Sequence, residues 1–81
     1  MKIIIKTFAS VYDICGFSDR EMEISPECTV ADVICMLVKQ YHELQEEVDE
    51  LLFAVNEEYC SGTRKLIDND VLAIFPPVSG G

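Results

Sequence analysis

The last six residues, Pro76-Pro77-Val78-Ser79-Gly80-Gly81, combine residue types that suit a reactive handle. Glycines carry no Cβ, so a terminal Gly-Gly can enter a channel too narrow for other residues. The group at its end is a carboxylate, whose ordinary pKa near 3.5 leaves it ionised and a poor electrophile at neutral pH. Acyl chemistry at Gly81 therefore requires activation by another enzyme. Two adjacent glycines at one end arise by chance in about one chain in two hundred, so the context has to narrow the meaning. Pro76 and Pro77 fix φ near the extended value and lack N–H groups, so they stop the apolar run Val71-Leu72-Ala73-Ile74-Phe75 as a strand and hold the last four residues off the sheet. The segment beyond the strand reaches roughly 15 Å at about 3.3 Å per residue.

Other side chains capable of chemistry are sparse. The cysteines are Cys15, Cys28, Cys35 and Cys60, with no Cys-x-x-Cys among them, and His42 is the single histidine. Zinc or another metal is not expected from that spacing. Nothing suggests secretion, so the cysteines are expected to be reduced, small, and buried or half-buried. A cysteine nucleophile would need His42 as its base, and no such pair is expected.

Composition narrows the class. Fifteen acids against six bases give a net charge of −9. That argues against nucleic acid and against an anionic membrane surface, both of which select clustered Lys and Arg. It fits either docking onto basic protein surfaces or plain solubility. With 81 residues, 49% of them hydrophobic, the chain makes a single domain over 1–81 with one small core. No run approaches the ~20 apolar residues of a membrane span. The start, Met1-Lys2-Ile3-Ile4-Ile5-Lys6, is too short and too soon charged for a signal peptide. A soluble cytoplasmic protein is expected.

The elements that must position the tail can be read from periodicity. Lys2 to Phe8 predicts a buried central strand. Ala9 to Phe17 carries Val11, Ile14 and Cys15 at helical spacing, closed by Gly16, and reads as a helical turn or a loop. Glu21 to Ile24 alternates as a second strand with one wet face, pairing with the first. Thr29 to about Glu43 predicts the main helix: Thr29 and Asp32 have capping-box form, and Val30, Val33, Ile34, Leu37, Val38 and Tyr41 make one apolar stripe. His42 lies off that stripe and is expected to be solvated. The acidic segment Glu43 to Glu50 extends the helix or forms an exposed bridge. Leu51 to Val55 is a third strand, Asn56-Glu57 a turn, Glu58 to Cys60 a short fourth strand and Ser61 to Lys65 a loop. Leu66-Ile67 returns to the core, Asp68-Asn69-Asp70 turns, and Val71 to Phe75 is the last strand. This order predicts an α+β β-grasp, a mixed sheet of about five strands on one main helix, with the first and last strands parallel in the middle.

The residues then meet a family. Ala54-Val55-Asn56, Leu66, Asp70-Val71 and above all Ile74-Phe75-Pro76-Pro77-Val78-Ser79-Gly80-Gly81 resemble the small subunit of molybdopterin synthase, in the ubiquitin-like sulfur-carrier family. The resemblance covers the whole chain. Ala9, Val11, Gly16, Thr29 and Val30 also fall where that family has similar residues. There are departures: Tyr12 stands where the family often has Arg, Asn69 where Gly is common, and Glu43 to Glu50 is richer in acids. The resemblance implies a substrate rather than a catalyst. An ATP-dependent adenylating enzyme would activate Gly81, and a sulfur donor would convert it to a thiocarboxylate. The tail would then enter the large catalytic subunit, in a heterotetramer of two small and two large subunits, and deliver sulfur to cyclic pyranopterin monophosphate to build the molybdopterin dithiolene. Gly80 would allow close backbone approach, Ser79 and Val78 would fill the channel mouth, and Pro76 and Pro77 would limit the entropy lost on insertion. Phe75 would anchor the body beside the channel, although a strand-end core role fits it as well. No bound cofactor is implied; ATP belongs to the activating enzyme.

The same tail chemistry serves other ends. One is sulfur delivery for thiamine thiazole synthesis or tRNA thiolation, and another is a ubiquitin-like modifier joined to target lysines. A plain binding module with an incidental Gly-Gly is the remaining alternative.

Overall fold

The computed structural model describes residues 1–77. Val78, Ser79, Gly80 and Gly81, and the roles expected of them, lie outside the described residues. Within them the chain runs β1 (Lys2–Thr7), α1 (Ala9–Cys15), β2 (Asp19–Glu23), α2 (Val30–Gln40), two 3-10 turns (His42–Glu46 and Val48–Glu50), β3 (Leu52–Val55), β4 (Glu58–Cys60) and β5 (Val71–Phe75). The five strands form one sheet in the order β2-β1-β5-β3-β4. β1 is antiparallel to β2 and parallel to β5, and β3 is antiparallel to both β5 and β4. This is the α+β β-grasp expected from the element order, with β1 and β5 side by side and β5 at the centre.

Alternation along the central strands divides the molecule into two faces. Ile3 and Ile5 of β1 and Leu72 and Ile74 of β5 are wholly buried against Val30, Val33, Ile34 and Leu37 of α2. The residues between them, Ile4, Val71, Ala73 and Phe75, point to the other side and are half-buried. Lys2 and Lys6 share that outer side and pair with Glu21 and Asp19 of β2 at 3.6 and 3.8 Å. Such exposed pairs add little stability.

α2 starts where the sequence signals it. The Thr29 hydroxyl accepts from the Asp32 amide at 3.2 Å, and the Asp32 carboxylate accepts from the Thr29 amide at 3.0 Å. The next free amides are taken up by the loop before Leu66: Val30 N–H donates to the Arg64 carbonyl and Ala31 N–H to that of Gly62. A Cβ on Gly62 would sit 3.3 Å from that of Ala31, so glycine permits this approach. α1 ends at Gly16, which is left-handed at φ 79° and donates its N–H to the Tyr12 carbonyl at 2.8 Å.

Several expectations need correction. α2 ends at Gln40 rather than near Glu43. Its eleven residues rise about 16 Å, which matches the length of a five-residue strand. A straight continuation would overrun the sheet. The acidic segment does not extend α2; as the other alternative had it, it bridges to β3 with Glu43, Glu46, Asp49 and Glu50 exposed, but its 3-10 turns bring Leu44 to full burial. The Ser10 hydroxyl donates to the Glu47 carboxylate at 3.0 Å and ties the segment to α1. β2 is exposed on both faces save for half-buried Met22, as befits an edge strand. Leu66 reaches the core but Ile67 does not, being 67% exposed.

Candidate functional site at the root of the tail

β5 delivers Phe75, Pro76 and Pro77 to one edge of the body, and all three are half-buried. Phe75 belongs to the outer face, opposite Leu52 in register, and not to the core. Its ring lies nearly flat on that of Phe8, with centroids 4.7 Å apart and planes 10° apart. On another side Tyr59 of β4 approaches at 6.1 Å and 47°. Offset or tilted pairs at these distances are mutually attractive. Phe8, Leu52 and Tyr59 remain 41%, 39% and 74% exposed, so a large apolar surface meets water beside the tail.

The floor of this surface is built from small residues. Ala54 and Ala73 face one another across β3 and β5, with Tyr59 and Lys6 as their outer neighbours. Two methyl groups between three aromatic rings leave a shallow depression of about 570 Å³. The rings of Phe8, Tyr59 and Phe75 line it together with the polar side chains of Lys6, Asn56 and Glu57. Sequence reasoning found Phe75, Pro76 and Pro77 but missed Phe8 and Tyr59. The signal was register: once β3, β4 and β5 are paired, Tyr59 and Phe75 fall on one face. Tyr12, one turn after Phe8 on α1, is also exposed.

The opposite end of β5 is built differently. Asp70, 3% exposed, accepts from the Asn56 side chain at 2.8 Å and from the Ile67 amide at 2.8 Å. Asn56 in turn accepts from the Val71 amide at 3.0 Å. Asn56 and Glu57 take φ 51° and 70°, and Asn69 takes 72°, so both turns use the left-handed region. Asn56 and Asp70-Val71, which carried part of the family resemblance, thus serve the architecture, and Asn56 and Val71 also line the depression that runs toward Phe75.

The remaining candidates do not assemble into a site. Among the described residues no group of three or more His, Cys, Asp or Glu side chains is placed to hold a metal ion. The four cysteines are free. Cys15 and Cys28 are buried and Cys60 is half-buried, but Cys35 on α2 is exposed, contrary to expectation. Burial pushes the Cys15 thiol up, with a smaller opposing pull from Arg20; burial and then the Asp32 charge push the Cys28 thiol up. Both are held protonated and are poor nucleophiles. His42 is exposed.

A five-strand sheet wrapped on one main helix, with Phe75, Pro76 and Pro77 ending its last strand beside exposed rings, defines a ubiquitin-like β-grasp domain. The chain belongs to the ThiS family, whose model matches residues 5–81. It is 36% identical to the molybdopterin synthase sulfur carrier subunit of Dictyostelium discoideum, over 95% of this chain and 93% of that one. Among solved structures, the putative molybdopterin converting factor subunit 1 from Pyrococcus furiosus is 32% identical with a TM-score of 0.84, covering 95% of this chain and 98% of that one. SAMP1 from Haloferax volcanii is 27% identical with a TM-score of 0.85 over the whole of both chains.

Proposed function

We propose that this chain is the sulfur-carrier subunit of molybdopterin synthase and works as a carried substrate, not as a catalyst. The observation that carries this is the joining of Gly80-Gly81, through Pro76 and Pro77, to a strand end framed by Phe8, Tyr59 and Phe75. The names of the relatives support the pathway. In this reading a Gly81 carboxylate oxygen attacks the α-phosphorus of ATP on an adenylating enzyme, and pyrophosphate leaves. A sulfur nucleophile then attacks the acyl carbon and expels AMP, leaving a thiocarboxylate. The outer face docks on the large catalytic subunit of a two-plus-two heterotetramer, the tail enters that subunit, the thiocarboxylate sulfur bonds to cyclic pyranopterin monophosphate, and water cleaves the acyl–sulfur bond, which leaves sulfur on the pterin and returns Gly81 to a carboxylate. Gly80 keeps side chains away from the reacting carbon, while Val78 and Ser79 occupy the channel mouth. Phe75 anchors the body and Pro76 and Pro77 limit the freedom lost on insertion. In this reading the carrier works in the cytoplasm.

Deletion of Gly81 tests the reading. Sulfur transfer in a system reconstituted with the adenylating enzyme and the large subunit is expected to vanish, while the melting temperature stays put; full activity in the deletion variant contradicts it. Complementation of molybdenum-cofactor mutants, and not of thiamine mutants, separates it from thiazole synthesis. The likeness to SAMP1, named elsewhere as a small archaeal modifier protein, favours a second reading in which the activated tail is joined to amines of target proteins. Covalent ladders that need Gly81 would support that reading.

A further inference from the structure

Phe8 continues β1 in extended conformation, φ −136° and ψ 151°, with Thr7 before it buried on the core side. Its ring therefore points to the outer face, where it meets Phe75. Three residues later the chain must already be on the other side, because Val11 and then Cys15 of α1 are buried in the core. The crossing is made at Ala9, which takes φ 49°. The Phe8 carbonyl closes the reversed turn by accepting from the Val11 amide at 3.1 Å and the Tyr12 amide at 3.3 Å. A left-handed alanine is disfavoured, and such outliers persist only where the surroundings over-determine them. Here burial of Val11, the two amides on Phe8 and the Ser10–Glu47 hydrogen bond do so. Phe75 is thereby held between Phe8 and Tyr59 before any partner arrives, one residue ahead of Pro76.

We propose that Ala9 is a positioning residue: its left-handed backbone sets Phe8 flat against Phe75 and so pre-orders the root of the tail for docking. The functional half of this inference rests on the sulfur-carrier reading; the structural half does not. Ala bears this strained φ at lower cost than a larger side chain would. Glycine would take the same φ but leave the turn loose, and a β-branched residue resists positive φ altogether. Ordering a rotamer-rich contact in advance lowers the cost of binding and leaves the chemical step alone.

The test compares Ala9→Val, Ala9→Gly and Phe8→Ala with the parent chain. The readouts are thermal melting, ring-to-ring NOEs between Phe8 and Phe75 in the free protein, and KM and kcat for the thiocarboxylated chain with the large subunit of molybdopterin synthase. Ala9→Val is expected to lose the Phe8–Phe75 NOE and raise KM about tenfold with kcat nearly unchanged, as a purely binding defect does. Ala9→Gly is expected to restore the NOE and most of the affinity. If Ala9→Val does not fold, Phe8→Ala, an exposed-face change, must show the same KM-only defect. Wild-type KM in a folded Ala9→Val or in Phe8→Ala overturns the inference, as does an Ala9→Val protein that keeps the NOE. Failure of the parent chain to deliver sulfur would sink the carrier reading instead, and the NOE comparison would still decide what Ala9 does.

Discussion

The two ends of the five-residue strand β5 obey opposite rules. At its start, Asp70, Asn56 and the Val71 amide satisfy one another in a closed network, and two left-handed turns lock the neighbouring loops. At its end, Phe75 stacks on exposed rings over a floor of alanines, and the chain runs on into prolines and glycines. One end uses its polar groups inside the molecule, and the other leaves apolar surface facing water. Both ends resemble the family in sequence, so resemblance alone does not separate a residue that closes the fold from one left at the surface. Burial and hydrogen bonding do.

Substitutions should break this contrast in a graded way. The largest effect belongs to the strand itself: Leu72, wholly buried, should lose about 3 kcal/mol as Leu72→Ala, read from urea unfolding. Asp70→Ala strands the Ile67 amide and the Asn56 side chain, at a cost of about 2 kcal/mol. For a domain this small that lowers the melting point by roughly 10 °C. Its affinity for the large subunit, measured below the transition, should not change. Phe75→Ala reverses the pattern: about 2 kcal/mol of binding, some thirtyfold in Kd by calorimetry, with a much smaller loss of stability. If Phe75→Ala unfolds the protein and leaves Kd intact, the assignment of the two ends is wrong.

Smaller effects sharpen the same contrast. Glu57 sits at φ 70° without a side chain that favours it, so Glu57→Gly should raise stability by about 0.5–1 kcal/mol. The thiols give a pH test. Cys15 and Cys28 have folded-state pKa values above the ordinary 9.0, so the native state prefers them protonated. Their contribution is fully present below the ordinary thiol value and is lost as the pH rises from there through the higher folded-state values. Stability should therefore fall above about pH 9, and Cys15→Ala/Cys28→Ala should flatten that limb. In native protein at neutral pH, a thiol reagent should take Cys35 first and leave Cys15 and Cys28 until unfolding.

Much of this was legible in the sequence because it is local. The Thr29–Asp32 box, Gly16, Asn69 and the isoleucine run each act through their own backbone or their nearest neighbours, and each appears where its chemistry requires. What was not legible depends on pairing between distant segments. Tyr59 and Phe8 join Phe75 only through the register of β4, β3 and β5 and through the turn at Ala9. Leu44 and Val48 continue the apolar spacing of α2 through Tyr41. Periodicity therefore could not reveal that the helix stops at Gln40, where a 3-10 turn carries Leu44 back to the core. Ile67 shows the converse: an apolar residue beside buried Leu66 is left outside because the Asp70 carboxylate holds its amide in a turn.

The central claim is that Gly81 carries sulfur, and the intact mass of the chain tests it most directly. The protein is incubated with the adenylating enzyme, ATP and a sulfur donor, with an ATP-free control alongside. The account predicts a mass increase equal to one oxygen replaced by sulfur, confined on fragmentation to Gly81 and absent from the control and from the Gly81 deletion. An unchanged mass under conditions in which the Dictyostelium discoideum sulfur carrier subunit is converted, or a sulfur found on a cysteine instead, would contradict it.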